Sequence, residues 1–117
     1  QYSLTYPERS EFDLKPLDLS GLGSLTFRKP DPKRFRALMF AWQVLELGGT
    51  AGAVLVGANQ QVAQAFLDSK ISFNKIFDIS TKVLHAHNVV KNPALDDIFA
   101  AYKWALTEAN KWISQES

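Results

Sequence analysis

Four groups of residues have types and spacings that could support chemistry. They are the glycine-rich residues 48–52, the basic residues 28–36, the histidines His85 and His87, and the acids Asp96 and Asp97. Residues 48–52 invite comparison with a phosphate loop, because helix N-termini bind anions. They lack a Gly-Lys-Ser/Thr ending, and no predicted strand precedes them. A tight turn between two helices is therefore the favoured interpretation.

The basic segment, residues 28–36, contains five cations and the single acid Asp31. Such a segment can meet phosphate, an acidic protein or nucleic acid. It lacks the interleaved aromatic residues of a single-strand binder and the motif of any groove reader. We favour a solvated helix start, with docking to another domain as the second interpretation, and we predict no nucleic-acid partner.

The histidines and acids do not form a catalytic or metal-binding pattern. His85 and His87 are two residues apart, so on a helix they point about 160–200° from each other and cannot share a metal. We interpret them as surface histidines near the end of a helix. Asp96 and Asp97 favour the dipole at a helix start. With the remaining acids scattered, we predict no catalytic, cofactor-binding or metal residue in the chain.

Composition bounds the class of protein. The chain has 117 residues, of which 46% are hydrophobic and 21% charged, as in one ordinary globular domain. A net charge of +1 gives no drive toward nucleic acid, and no apolar run approaches the ~20 residues that span a bilayer. The absence of cysteine suits a cytosolic protein. Because the chain begins with Gln1, we expect an excised or processed piece.

Residues 1–30 are predicted to form an extended connector arm. Pro7, Pro16 and Pro30 interrupt them, and residues 24–27 could form one short strand. The arm is too apolar for a free linker, so we expect it to lie against another surface. Its apolar residues are Leu4, Tyr6, Phe12, Leu14, Leu17, Leu19, Leu22, Leu25 and Phe27.

Residues 31–117 show the period of four amphipathic helices. The first is predicted to begin with Asp31 as N-cap and Pro32 at its first position, and to end at Gly48-Gly49. Thr50 is the predicted cap of the second helix. The third is predicted to begin near Asn74 and the fourth at Asn92-Pro93. The predicted inward stripe of the first helix is Phe35, Leu38, Met39, Trp42 and Leu45. Short connections between four such stripes predict an all-α, four-helix bundle.

The second helix is crowded with small residues, including Gly52, Gly57 and Ala58, which let another backbone approach closely. Its polar positions, Asn59, Gln60, Gln61 and Gln64, would face solvent, a partner or a site. The three tryptophans, Trp42, Trp104 and Trp112, are predicted to be packing residues.

Several motifs in a fixed order resemble one enzyme family. The Gly48-Gly49-Thr50 turn is followed by Asn59, then by Ala65-Phe66-Leu67 and by Ile71-x-Phe73-x-x-Ile76. Upstream motifs are Tyr6-Pro7, Pro16-Leu17, Leu25-Thr26-Phe27, Pro30-Asp31 and Arg34-Phe35. In this order they resemble the C-terminal part of 1-deoxy-D-xylulose 5-phosphate reductoisomerase. The chain departs from the family pattern at Arg36, Val56, Gln60, Tyr102 and Leu106.

The resemblance implies an enzyme of non-mevalonate isoprenoid synthesis. The family rearranges 1-deoxy-D-xylulose 5-phosphate and reduces the product with NADPH and Mg²⁺ or Mn²⁺, giving 2-C-methyl-D-erythritol 4-phosphate. Its nucleotide, metal and phosphate sites lie on domains whose motifs have no counterpart here. The chain is thus expected to be the noncatalytic C-terminal domain, with residues 1–9 as the last part of the central one.

The implied partner is the catalytic domain of the parent enzyme, in the cytoplasm or in a plastid-type organelle. We also expect association between copies through residues 1–30. The alternative is an independent helical module that docks a partner through its small-residue helix or its basic segment.

Overall fold

The regular structure is helical throughout the residues that a computed structural model describes, which are 2–9, 11, 15 and 17–116. The helices are α1 (Tyr2–Thr5), α2 (Leu19–Leu22), α3 (Arg36–Leu47), α4 (Ala51–Leu67), α5 (Phe73–Ala86) and α6 (Leu95–Ser114). The all-α prediction is confirmed, and the four long helices correspond in outline to the predicted bundle.

The connector arm contains two single-turn helices that the sequence pattern did not predict. The carboxylate of Asp18 starts α2 by accepting the backbone N–H of Ser20 at 3.0 Å. Residues 24–27 do not form the predicted short strand, because a lone strand has no neighbour to complete its hydrogen bonds. Leu17, Leu25 and Phe27 are all exposed rather than covered by the bundle. Gln1, Phe12, Leu14 and Pro16 lie outside the described residues.

The start of α3 differs from the prediction. Asp31 caps a separate turn: its carboxylate accepts the N–H of Lys33 at 2.9 Å, and its carbonyl accepts the N–H of Phe35 at 2.9 Å. Phe35 then leaves the helical region, with φ −110° and ψ 65°. α3 therefore begins at Arg36 rather than at Pro32.

The core of the described structure is built by α4, α5 and α6. Its buried side chains come from α4 (Ala51, Val54, Ala58, Val62, Ala65), from the following turn (Ile71), from α5 (Ile79, Val83, Leu84) and from α6 (Ala101, Ala105, Ala109, Ile113). α4 packs against both α5 and α6. A Cβ atom added to Gly57 would lie 2.7 Å from the backbone oxygen of Tyr102, so the predicted close approach at the small-residue helix is confirmed.

Helix α3 lies outside this core, against α4 and α5, and contributes no buried residue to it. Its contact with the bundle is made by the half-buried Phe40, Val44 and Leu47. At 100° per residue these lie about 170° around the helix from the predicted stripe. The stripe itself is exposed, with side chains between 44% and 72% accessible. Its predicted inward orientation is therefore wrong, because a second apolar face of the same helix makes the contact.

The remaining helix starts lie close to their predicted positions. α5 begins at Phe73, directly after Ser72, and α6 begins at Leu95, after Ala94. The carboxylate of Asp97 accepts the backbone N–H of Ala94 at 2.9 Å. This bond satisfies a donor that precedes the helix, so the predicted structural role of the Asp96-Asp97 pair holds for Asp97.

Candidate docking surface

An exposed apolar face lies on and just before α3, and we define this α3 outer face as Phe35, Leu38, Met39, Trp42 and Leu45. The last four recur at intervals that place them on one side of α3, and Phe35 directly precedes the helix. All of them are exposed. Monomeric proteins rarely expose contiguous apolar patches larger than a few hundred Å² unless the patch binds something. The α3 outer face is therefore the leading candidate for a functional surface.

The α3 outer face opens into an apolar groove beside the start of α5. The groove has a volume of about 490 Å³ and is lined by Arg34, Phe35, Ala37, Leu38, Phe73 and Phe77. Phe73 and Phe77 meet edge-on, with ring centroids 5.4 Å apart, and Phe77 also lies against Phe40 at 6.4 Å. Phe73 and Phe77 form the floor of the groove, and these aromatic contacts hold the two rings in place.

Cations precede and begin α3 in the chain. Nη1 of Arg36 lies 2.8 Å from the carboxylate of Asp78, and its guanidinium lies 5.6 Å from the ring centre of Phe77. Arg28, Lys29, Lys33 and Arg34 are exposed, and none forms an ion pair with a carboxylate of the described residues. The basic segment is thus solvated as predicted, except that Arg36 is fixed to α5.

The turn between α3 and α4 is tied to the loop before α6. Thr50 occupies the cap position of α4, but its side chain makes no cap bond, so the predicted capping role is wrong. Its hydroxyl lies 2.7 Å from Nε2 of His87 and accepts the backbone N–H of Val90 at 3.1 Å. The N–H of Thr50 also donates to the carbonyl of Val90 at 3.1 Å. Thr50 is fully buried, so its polar groups need partners. These bonds to residues far along the chain take the place of a bond to the start of its own helix.

Gly49 makes this close approach possible. Its φ is +53°, and a Cβ at this position would lie 2.1 Å from the carbonyl oxygen of Val90. Only glycine accommodates both conditions. The tight-turn interpretation of residues 48–52 therefore agrees with the structure, and the buried Thr50 hydroxyl is unavailable to a phosphate.

The two histidines have different environments. His85 is exposed, whereas His87 is half-buried with its ring 5.1 Å from that of Trp104. Burial lowers the pKa of His87 below its ordinary value. The interpretation as a surface histidine is thus wrong for His87. Its partner Thr50 lies 37 residues earlier in the chain, so no local sequence pattern indicated this contact.

Polar residues of α4 bond mainly within the bundle. The carbonyl of Gln60 accepts the hydroxyl proton of Tyr102 at 2.6 Å, and the amide of Gln61 donates to Asn110 at 2.8 Å. Gln61 therefore does not simply face solvent. Val56 and Asn59 stay exposed on this helix. Two of the departures from the family pattern, Gln60 and Tyr102, thus contact each other.

The tryptophans separate into two groups. Trp104 and Trp112 pack against the core, and Nζ of Lys82 lies 4.4 Å from the ring centre of Trp112. Trp42 is 65% exposed, so its predicted packing role within the bundle is wrong. It belongs instead to the α3 outer face.

The described residues offer neither a metal cluster nor a membrane-spanning helix. They contain no group of three or more His, Cys, Asp or Glu side chains arranged to hold a metal ion. None of the described helices has both the length and the hydropathy needed to cross a bilayer.

Comparison with known proteins agrees with the motif resemblance. The sequence profile of the family described as the DXP reductoisomerase C-terminal domain matches residues 1–108. The 1-deoxy-D-xylulose 5-phosphate reductoisomerase of Anaeromyxobacter dehalogenans is 46% identical over 110 residues, which cover 94% of this chain and 28% of that protein. The enzyme of the same name from Halothermothrix orenii is 39% identical over 115 residues, covering 98% and 30%.

A solved structure shows the same fold. The 1-deoxy-D-xylulose 5-phosphate reductoisomerase of Zymomonas mobilis, in complex with NADPH, is 34% identical with a TM-score of 0.85. The match covers 96% of this chain and 30% of that one. The chain thus spans less than a third of the length of these relatives. On the profile match, this chain belongs to the family of DXP reductoisomerase C-terminal domains.

Proposed function

We propose that this chain serves as the noncatalytic C-terminal helical domain of a 1-deoxy-D-xylulose 5-phosphate reductoisomerase and supports the catalytic part. One observation carries the proposal. α3 is anchored to a closed α4–α5–α6 core through Phe40, Val44 and Leu47, while the α3 outer face stays exposed. A domain that docks on another domain needs this combination of an internal core and an open apolar face.

The named relatives support a proposal for the activity of the parent enzyme. We propose that it isomerises 1-deoxy-D-xylulose 5-phosphate and reduces the product with NADPH, with Mg²⁺ or Mn²⁺ as the metal, to give 2-C-methyl-D-erythritol 4-phosphate. The relative from Zymomonas mobilis is in complex with NADPH. The described residues contain no group of three or more His, Cys, Asp or Glu side chains that could hold the metal. We therefore assign no step of the reaction to this chain.

The division of the chain is part of the same proposal. Residues 1–30 act as the connector from the catalytic part, and residues 31–117 form the C-terminal domain. Because Leu17, Leu25 and Phe27 are exposed, the connector also suits association between copies when the catalytic part is missing. We place the parent in the cytoplasm, or in a plastid-type organelle if it is eukaryotic, on the family resemblance alone.

A titration of the isolated chain tests its noncatalytic role. We expect no oxidation of NADPH in the presence of the sugar phosphate, and no tight binding of Mn²⁺ by isothermal titration calorimetry. The complete parent enzyme, assayed under the same conditions, is the positive control. Turnover by the isolated chain, or a one-to-one Mn²⁺ site in the micromolar range, would contradict the proposal.

A further inference from the structure

We propose that the α3 outer face and its basic end bind a segment of the catalytic part that carries an apolar strip with carboxylates at one end. This inference rests on the proposed function and specifies the chemistry of the partner surface. It is carried by the apolar groove next to Arg34 and by the unequal charge at the two ends of α3.

The apolar strip of the partner must match the α3 outer face in length. From Leu38 to Leu45 the helix rises about 10 Å, which is the reach of roughly three residues of strand or seven of helix. The groove beside Phe35 and Leu38 has a volume of about 490 Å³ and an aromatic floor of Phe73 and Phe77, so it accepts a bulky apolar side chain. Aromatic and apolar anchors in such pockets carry most of the binding energy of an interface.

The charges near α3 indicate which end of the partner segment carries the carboxylates. Four exposed cations, Arg28, Lys29, Lys33 and Arg34, precede α3 in the chain, Lys33 and Arg34 directly before it, and within the described residues none has a carboxylate partner. The carboxylate of Asp31 already accepts backbone N–H groups of its own turn. The positive end of the α3 dipole favours negative charge at the same place.

The opposite end of α3 carries charges of both signs. Glu46 is exposed there, and the ammonium of Lys91 donates to the carbonyl of Leu47 at 2.8 Å. Carboxylates of the partner therefore belong at the Arg34 end. A second copy of the chain offers one exposed α3 carboxylate against four cations, and nucleic acid would leave the apolar face uncovered.

Hydrogen exchange of the complete enzyme tests this inference. Amides of residues 37–45 should exchange at least about tenfold more slowly in the complete enzyme than in the isolated chain, because docking suppresses local opening of α3. Arg34→Glu in the complete enzyme should reduce that protection, most strongly at about 50 mM salt. The matched control is Lys103→Glu on α6, which is exposed and lies on a helix that does not contact α3.

One further variant, Leu38→Asp, completes the test. Leu38→Asp should remove the protection at any salt concentration, and circular dichroism of the isolated variant shows whether the bundle still folds. Equal exchange of α3 in the isolated chain and in the complete enzyme would overturn the docking site. Undiminished protection in Arg34→Glu would overturn the acidic partner segment. Neither result touches the noncatalytic role, which fails only if the isolated chain turns over substrate or binds the metal.

Discussion

The hydroxyl of Thr50 lies 2.7 Å from Nε2 of His87, and this contact joins the turn between α3 and α4 to the C-terminal end of α5. The same hydroxyl accepts the N–H of Val90, in the loop before α6. When that hydroxyl donates its proton to Nε2, the neutral imidazole carries its own proton on Nδ1. The buried side chain of Thr50 thereby connects the turn between α3 and α4, the end of α5 and the loop before α6.

Replacement of Thr50 tests this junction. Thr50→Val keeps the shape of the side chain but leaves the N–H of Val90 and Nε2 of His87 without their partner. We expect a loss of about 1–3 kcal/mol in the free energy of unfolding, measured with urea. Thr107→Val is the control, because the Thr107 hydroxyl is exposed and bonds only to Lys103 of its own helix. A similar small loss in both variants would show that the junction contributes no special stability.

The same junction predicts a pH dependence. Burial lowers the pKa of His87 from its ordinary value of 6.5, so the unfolded chain takes up this proton at a higher pH than the folded chain. The contribution of neutral His87 to the free energy of unfolding is complete above pH 6.5. It is lost as the pH falls through the lowered pKa. Asp97 of α6 lines the same surface groove as His87, and its carboxylate accepts the N–H of Ala94.

Urea unfolding between about pH 7.5 and about pH 5.5 measures this effect. His87→Gln should flatten the pH dependence, since its amide can bond to Thr50 but does not titrate. His85→Gln, at an exposed position, should leave the pH dependence of the wild type unchanged. A pH dependence that survives in His87→Gln would assign the titration to another group.

The close contact between α4 and α6 predicts opposite effects at two glycines. In Gly57→Ala the new Cβ would lie 2.7 Å from the backbone oxygen of Tyr102, which cannot rotate away. We expect destabilisation by ~1–3 kcal/mol, and more for Gly57→Leu. At Gly52 the nearest atom would be Cγ1 of Val44 at 3.8 Å, an ordinary contact. Gly52→Ala should therefore stabilise the helix by ~0.5–1 kcal/mol. Equal melting temperatures for both variants would contradict the close approach.

The connector predicts a concentration-dependent association of the isolated chain. Its exposed apolar residues, including Leu25 and Phe27, have no cover on the bundle. Deleting residues 1–30 should leave a helical monomer, which sedimentation velocity and circular dichroism would show. If the truncated chain unfolds while the intact chain stays monomeric at high concentration, the connector is part of the fold.

The sequence predicted the helices better than it predicted their environment. The starts of α5 and α6 lie one and two residues from their predicted positions, Asn74 and Asn92-Pro93, because the signals for a helix start are local in the chain. The orientation of α3 does not, because Phe40, Val44 and Leu47 are as apolar as the residues of the α3 outer face. Which face turns inward depends on the surfaces that α4 and α5 present to α3. No periodicity within α3 contains that information.

The candidate surface was predictable in part. The basic segment and its second interpretation, docking to another domain, came from charge alone. The apolar groove could not be predicted, since it joins Leu38 to Phe73 across two helices that are far apart in sequence. The Thr50–His87 contact was missed for the same reason, as its partners are separated by 37 residues.

Reconstitution of activity from two pieces tests the central claim most directly. The catalytic part of the parent enzyme, expressed without this domain, is assayed for NADPH oxidation with 1-deoxy-D-xylulose 5-phosphate, alone and after addition of the 117-residue chain. We predict that the chain alone gives no turnover, that the catalytic part alone has a reduced kcat/KM, and that adding the chain restores it. Turnover by the chain alone, or full kcat/KM of the catalytic part without it, would contradict a noncatalytic supporting role.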